Sequence, residues 1–379
     1  MTRLQPADIE SLRANAAPLP LTAAPFTSSD QFKSSYARVK PLAKPLEHHF
    51  STESRDFAGS ALKKGSSPAG PRKIISLGTG RPTADYYPWE YMSLHGATAG
   101  LTKLDSFNGV AQSVGTISKQ GATYNLSIGL NYGHANGSAH LLRFITEHVE
   151  LVHNPPYSDW ATFLSCGATA ALEVAFRIFC NRGDTVLTEQ YTYPGTLESA
   201  TLNGIKVQGV EMDQDGLQPD ALDAILCSWD VLESPKPRVL YTIPTGQNPT
   251  GFSQPLERRR AIYDVAERHD LIIIEDDPYY FLRMGPYHAA NGSNSHSTED
   301  KVSNETSHFQ TIPSFLALDT SGRVVRLDSA AKILAPGLRA GWVTASAPII
   351  EKFLAYQEVS TVSVSGPSQL MLWHLLDET

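Results

Sequence analysis

Short apolar runs recur through the middle of the chain, each bounded by turn residues: Thr162–Ser165, Asp184–Leu187, Val239–Ile243, Leu271–Ile274 and Val324–Leu327. Runs this short, rich in Val, Ile, Leu and Thr, read as buried strands. Between several of them lie helical stretches, notably Ala170–Cys180 and Leu256–His269. Strands alternating with helices predict an α/β fold with a mostly parallel central sheet and helices on both faces. A ligand of such a sheet sits beyond the carboxyl ends of its strands. The residues after each run are therefore the candidates for chemistry.

The flanks read differently. Residues 1–72 are rich in Ser, Ala, Pro and Lys. They predict an N-terminal arm with one short helix near Glu47–Phe57 and a turn-rich linker at Gly65–Pro71. Asn291–Gln310 has almost nothing to bury and predicts a surface loop. No internal repeat is visible.

Composition narrows the function classes. Of 379 residues, 41% are hydrophobic and 18% charged, which excludes wholesale disorder. A net charge of −8, without clustered basic residues, argues against a nucleic-acid or anionic-membrane binder. The longest aliphatic run, Leu271–Ile274, is far too short to span a bilayer. Cys166, Cys180 and Cys227 form no CxxC pair, so neither a disulfide scaffold nor a metal site is expected. With no apolar signal core in Met1–Asp30 and no address in Asp377–Thr379, a reducing, cytoplasmic location is expected. Asn304-Glu305-Thr306 then reads as a chance glycosylation match.

Four segments follow strands. Ser165–Leu172 is a strand-to-helix turn of small residues, whose free N–H groups and Thr169 hydroxyl suit an anion at a helix start. Taken alone it also reads as tight βα packing. Pro244–Gly251 is a tight loop placing Asn248 at a sheet mouth, or simply a turn with a capping Asn. Glu275-Asp276-Asp277 puts carboxylates at a buried strand end, which is costly unless a cation or hydrogen-bond donors meet them. A helix cap by one Asp is the plain alternative, and a metal site the rival, although no His or further carboxylate cluster joins it with ligand spacing. Asp328–Trp342 carries Lys332 in a small apolar stretch, where desolvation would lower its pKa toward a nucleophilic amine. Arg339 follows seven residues later, beyond a Pro-Gly bend; taken alone, a solvent-facing Lys and a surface Arg is the plainer reading of this segment. There is no Walker A sequence and no GxGxxG after a first strand. Together the four supply a phosphate cradle, a carboxylate, an amide donor and a lysine, a combination that fits pyridoxal 5′-phosphate (PLP).

As an ordered series these segments resemble the fold-type-I PLP aminotransferases of class I and II, and more closely the fungal aromatic and kynurenine/α-aminoadipate aminotransferases. The series runs Ile75–Pro82, Leu130–Gly137, Gly167-Ala168-Thr169, Glu189–Gly195, Pro244–Gly251, Glu275–Tyr280 and Ser329–Lys332, with Leu46–Arg55 of the arm added. The resemblance covers about residues 45–379. It implies the PLP-transferase fold: residues 73–120 opening a small domain, 121–345 forming the large PLP-binding domain, and 346–379 starting the C-terminal part of the small domain.

The resemblance also implies roles. Lys332 would link PLP through its amine and then act as the acid/base between Cα and C4′. Asp276 would pair with the pyridinium N–H, Asn248 and Tyr279 with the phenolic oxygen, and Tyr193 would stack on the ring. Ala168 (through its N–H), Thr169, Ser329 and Arg339 would hold the phosphate. Tyr132 would reach the phosphate of a neighbouring subunit, implying a homodimer, and Gly80 would lie beside the substrate carboxylate. Amino acid and 2-oxo acid substrates are implied, with no nucleic-acid or membrane partner.

Three departures stand out. Relatives carry Ser/Thr-Phe-Ser-Lys where this chain has Ser329-Ala330-Ala331-Lys332, and a polar residue where it has Ala168. The sequence also ends at Thr379, before the family's C-terminal small domain and its carboxylate-binding arginine, and so reads as C-terminally short. Transamination of aromatic or long-chain amino acids is the leading expectation, with fungal secondary metabolism as one setting for it. A β-eliminating C–S lyase and an inactive, truncated PLP-binding paralogue are the alternatives. A PLP-fold regulator behind a winged helix is disfavoured, since residues 1–72 lack the apolar periodicity of a DNA-binding domain.

Overall fold

The structure is a computed structural model that describes residues 4–60, 80–96, 112–282 and 312–377. The expected linker at 65–71 and the loop at 291–310 lie outside these residues. Eleven strands are described. They are β1 (Tyr91–Gly96), β2 (Gln112–Ser118), β3 (Trp160–Ser165), β4 (Thr185–Glu189), β5 (Lys206–Val210), β6 (Met212–Asp213), β7 (Gly216–Leu217), β8 (Val239–Thr242), β9 (Ile272–Asp276), β10 (Val324–Ser329) and β11 (Gly341–Ser346). The central sheet has seven strands in the order β3-β11-β10-β9-β8-β4-β5. Only β11 runs antiparallel to its neighbours. β1 pairs with β2 and β6 with β7 in two small antiparallel sheets.

The strands are buried on both faces, as their continuous apolar runs require. One face presents Val239, Ile272, Ile274, Val325 and Val343 to helices Ala168–Phe179 and Ala347–Val359. The other presents Leu187, Leu240, Ile273 and Val324 to helices Ala139–Val152, Pro219–Cys227, Leu256–His269 and Gly366–Leu376. Helix Ala139–Val152 begins where the Ser138 hydroxyl caps the Leu141 N–H (3.3 Å), and buries Leu141, Leu142, Ile145 and Val149. No helix among the described residues is long and apolar enough to cross a membrane.

The arm departs from its expected outline. It begins with a further helix, Pro6–Ala14, and has a short one at Ser35–Arg38. The expected element near Glu47–Phe57 is a 3-10 turn at Glu47–His49 followed by helix Thr52–Asp56. Polar groups fasten the arm to the large body. The Ser34 N–H and hydroxyl donate to buried Glu150, the N–H at 3.0 Å. Arg13 Nε donates to Glu147 (3.0 and 3.1 Å), and Ser51 N–H to the Ile178 carbonyl (2.7 Å). Leu46 and Phe50 supply the apolar part of the contact.

Where β9 and β10 end, strand alternation divides the charges. Arg326 pairs with Glu275 and Leu327 with Asp276 in parallel register. Residues directly opposite share a face, so Glu275 and Arg326 lie on one side of the sheet and Asp276 on the other. Arg326 is fully buried. Its guanidinium meets Asp328 (2.8–3.1 Å), Glu275 (3.1 Å) and Asp277 (3.4 Å) under the ring of Tyr280. Glu275 also accepts the N–H groups of Phe315 (2.8 Å) and Leu316 (3.1 Å). This is the cation that buried carboxylates require.

Removing one partner of a buried ionic group strands the others without compensation. Arg326→Met is therefore expected to destabilise the fold by about 3–5 kcal/mol in denaturant unfolding. A loss below about 1 kcal/mol, the range of surface pairs, would contradict this account.

Candidate functional site

Because β3, β4, β8, β9 and β10 run parallel, their carboxyl ends share one edge of the sheet, where β11 also begins. Asp276 closes β9 there. Its Oδ2 accepts a hydrogen bond from the Tyr241 hydroxyl at 2.7 Å. Its Oδ1 is buried and has no hydrogen-bond partner among the described residues. Burial pushes the carboxyl pKa up to about 6, against the Tyr241 hydrogen bond, and the charge of Asp277 adds to the rise.

Asn248 and Tyr279 meet beside Asp276. The Asn248 side chain hydrogen-bonds the Tyr279 phenol, which also feels the charge of Asp276 and the neighbouring Tyr193. Burial, the largest influence, raises the pKa of that phenol. The Asn248 loop is held from two sides. Buried Arg259 donates to the Pro244 carbonyl (3.1 Å) and the Thr245 hydroxyl (3.0 Å). Gln247 Nε2 reaches the Tyr191 carbonyl (2.5 Å), tying this loop to the one after β4. Tyr193 ends that second loop at the start of helix Pro194–Leu202, its ring folded over Gly195.

The third part of the site is the start of helix Ala168–Phe179. Gly167 precedes it with φ +89°, and no side chain caps it. Free N–H groups at a helix start attract anions. Arg339 arrives from the far side of a Pro-Gly bend, and its Nη2 lies 3.5 Å from the Cys166 carbonyl. A Cβ at Gly167 would sit 2.6 Å from that Nη2, so the approach depends on glycine. Ser329, at the end of β10, is buried and paired with Gly341, which in turn pairs with Ser165. The Ser329 hydroxyl accepts the Ala331 N–H at 3.1 Å. Ala168 is half-buried and Thr169 exposed.

The desolvated lysine is a correction. Ala330 turns inward, with its N–H bonded to the Ala340 carbonyl (3.0 Å), but two residues later Lys332 is exposed. The small residues around it pack the turn rather than enclose the amine. Gly80 and Tyr132 are likewise exposed and do not join these contacts.

Sequence pattern does not single out Tyr241, Arg326 or Glu189. Glu189 closes β4, where its Oε1 accepts the Thr242 hydroxyl (2.5 Å) and the Ile243 N–H (3.0 Å). Burial lifts its pKa to about 7. A lone Arg in Val324–Leu327, in parallel register with the acidic end of β9, is the one signal that points to Arg326.

Comparison with known proteins decides the family. The profile for aminotransferase class I and II matches residues 113–378. This chain belongs to that family. It is 47% identical over 344 residues to aminotransferase swnA of Metarhizium robertsii, a match covering 90% of this chain and 65% of that protein. It is 42% identical to an aromatic amino acid aminotransferase of Schizosaccharomyces pombe, covering 87% of this chain and 70% of that one. The crystal structure of aminotransferase Aro8 from Candida albicans superposes with a TM-score of 0.78 at 37% identity, covering 89% of this chain and 71% of that one. The chain thus spans about two thirds of the length of these class I and II relatives.

The approach of Arg339 to Gly167 generates a paired prediction. Gly183 also has positive φ (+93°), but nothing within 4 Å of an added Cβ. Gly183→Ala is expected to cost only the left-handed backbone, roughly 1–2 kcal/mol. Gly167→Ala should cost that and also displace Arg339, abolishing most of the rise in unfolding temperature given by inorganic phosphate at this helix start. Equal protection of both variants would contradict the cradle.

Proposed function

We propose that this chain is a PLP-dependent aminotransferase that moves an amino group between an aromatic or long-chain amino acid and a 2-oxo acid. The observation that carries the proposal is Asp276: a buried carboxylate with one oxygen held by Tyr241 and the other without a partner among the described residues. A buried acceptor left open is costly unless a ligand supplies the donor. A protonated ring nitrogen is such a donor. The uncapped helix start beside Arg339, at the same edge of the sheet, suits the phosphate. The residues present fit the cofactor.

When bound, PLP supplies an electron sink for the charge that develops at the substrate's Cα. This chain's residues hold it and move the proton. Asp276 keeps the ring nitrogen protonated by accepting its N–H. Asn248 and Tyr279, already paired, would hydrogen-bond the phenolic oxygen, and Tyr193 would pack on the ring face. Arg339 would hold the phosphate, joined by the Ser329 and Thr169 hydroxyls and the Ala168 N–H. Lys332, exposed three residues beyond the end of β10, would provide the amine that holds the cofactor and would carry the proton at Cα. In a homodimer, exposed Tyr132 would contact the phosphate of the neighbouring subunit, and Gly80 would line the substrate carboxylate. The aromatic preference is supported by the Schizosaccharomyces pombe relative, itself named for aromatic amino acids. A reducing, cytoplasmic setting is supported by the three free cysteines.

The direct test adds PLP, an aromatic amino acid and a 2-oxo acid to the purified chain and follows formation of the new amino acid. Lys332→Ala should lose the visible band of covalently attached cofactor, keep weakened binding through the phosphate, and lose turnover by on the order of 10²–10⁴-fold or more. Full turnover in that variant would overturn the role of Lys332. No turnover by the unmodified chain with any amino donor would overturn the proposal.

Asp276 also fixes a pH dependence. Its carboxyl pKa is raised to about 6, so the acceptor is charged above that pH and neutral below it. Affinity of the cofactor-free protein for PLP should fall as pH drops through about 6. Asp276→Asn should remove that inflection. An unchanged inflection in the Asn variant would assign it to another group.

A further inference from the structure

The sheet holds Asp276 in one orientation through a residue that, on the proposed reading, never touches substrate or cofactor. Tyr241 lies in β8, paired with Ile274 of β9, two residues before Asp276. Alternation puts Tyr241, Ile274 and Asp276 on the same face, so the long phenol reaches diagonally to the carboxylate. Its side chain is fully buried in the apolar cluster that also holds Val186, Val239, Ile243 and Ile274. An ionised carboxylate only accepts hydrogen bonds, so at 2.7 Å from Asp276 Oδ2 the Tyr241 hydroxyl must donate. That bond occupies one carboxylate oxygen and leaves the other, Oδ1, without a partner among the described residues.

We infer that Tyr241 is a positioning residue: its hydroxyl locks the Asp276 carboxylate so that Oδ1 alone is presented to the ring nitrogen of the cofactor. The inference rests on the PLP-dependent reading above and adds to it a residue of the sheet interior. Three consequences follow from the geometry. The carboxylate cannot turn about its terminal bond without breaking a buried hydrogen bond. The charged form of Asp276 is stabilised by a donor that no solvent replaces. The rigid ring, packed by its neighbours, holds the donor without relying on a mobile side chain.

The test uses two probes: PLP itself, and 1-deazapyridoxal 5′-phosphate, which has carbon in place of the ring nitrogen. Dissociation constants are measured for the full chain and for Tyr241→Phe, with thermal unfolding of each cofactor-free protein alongside. The unmodified chain should prefer PLP to the deaza compound. Tyr241→Phe should weaken PLP about tenfold, the worth of one hydrogen bond to a charged group, and leave the deaza compound unchanged. The pH midpoint of the bound cofactor's visible absorption should shift in the same variant. Equal weakening of both probes would mean a merely structural role and overturn the inference, as would no weakening of either. If the unmodified chain binds neither probe, the PLP reading itself fails. If it prefers PLP and the Phe variant keeps the same preference, only the role of Tyr241 fails. Should Tyr241→Phe not fold, a crystal structure of the PLP-loaded chain decides. Tyr241 still on Oδ2 with the ring nitrogen on Oδ1 supports the inference, and the ring nitrogen on Oδ2 overturns it.

Discussion

Four carboxyl groups, Glu275, Asp276, Asp277 and Asp328, stand buried where β9 and β10 end, and the rest of the site depends on how their charge is met. The pleat of the sheet gives the answer. Arg326 takes Glu275, Asp277 and Asp328 on one side, closely enough that their charge, against the cost of burial, raises its pKa well above the usual range. Asp276 falls on the other side, where among the described residues it has one phenol and an open oxygen. A single alternation therefore separates a structural ion cluster from a chemically available carboxylate, although adjacent residues carry them.

The same edge gathers its other parts from far along the chain. Arg339 reaches the loop after β3, Gln247 ties the loop after β8 to the one after β4, and Arg259 anchors the Asn248 loop from a helix. Each of these links runs from a side chain to a backbone carbonyl, so hydrogen bonds tie the loops to one another. This suits a site at the end of a parallel sheet, where the strands are rigid and their exits carry the chemistry. Membership of the class I and II aminotransferases gives this arrangement its context, and the proposed transamination uses the ends of β3, β4, β8, β9 and β10.

Much of this architecture is legible in the amino-acid pattern alone. The runs at Val239, Leu271 and Val324 are dense in β-branched and aliphatic residues because those strands are buried on both faces, and helix Leu256–His269 has the bounds its sequence predicts. Edge strand β5 escapes that pattern because Lys206–Gly209 are largely solvated and carry no apolar run. β11 escapes it because Gly, Thr and Ser interrupt it. The fastening of the arm is also invisible locally: Ser34 meets Glu150 across 116 residues, and no short-range pattern records such a partner. In the site, residue types and order mark Asp276, Asn248, Tyr279 and Arg339 as companions. They do not mark Tyr241, whose hydroxyl matters only because strand register brings it to Asp276. Nor do small neighbours at Ala330 and Ala331 decide whether Lys332 is enclosed, since a turn points side chains either way.

The claim at the centre of this account is that Asp276 keeps a protonated nitrogen in place inside the protein. The nitrogen-15 chemical shift of ring-labelled PLP, bound to the full chain at neutral pH, measures that directly. A shift characteristic of protonated pyridine, moving to the unprotonated value in Asp276→Asn, is the predicted result. An unprotonated ring nitrogen in the unmodified chain would contradict it.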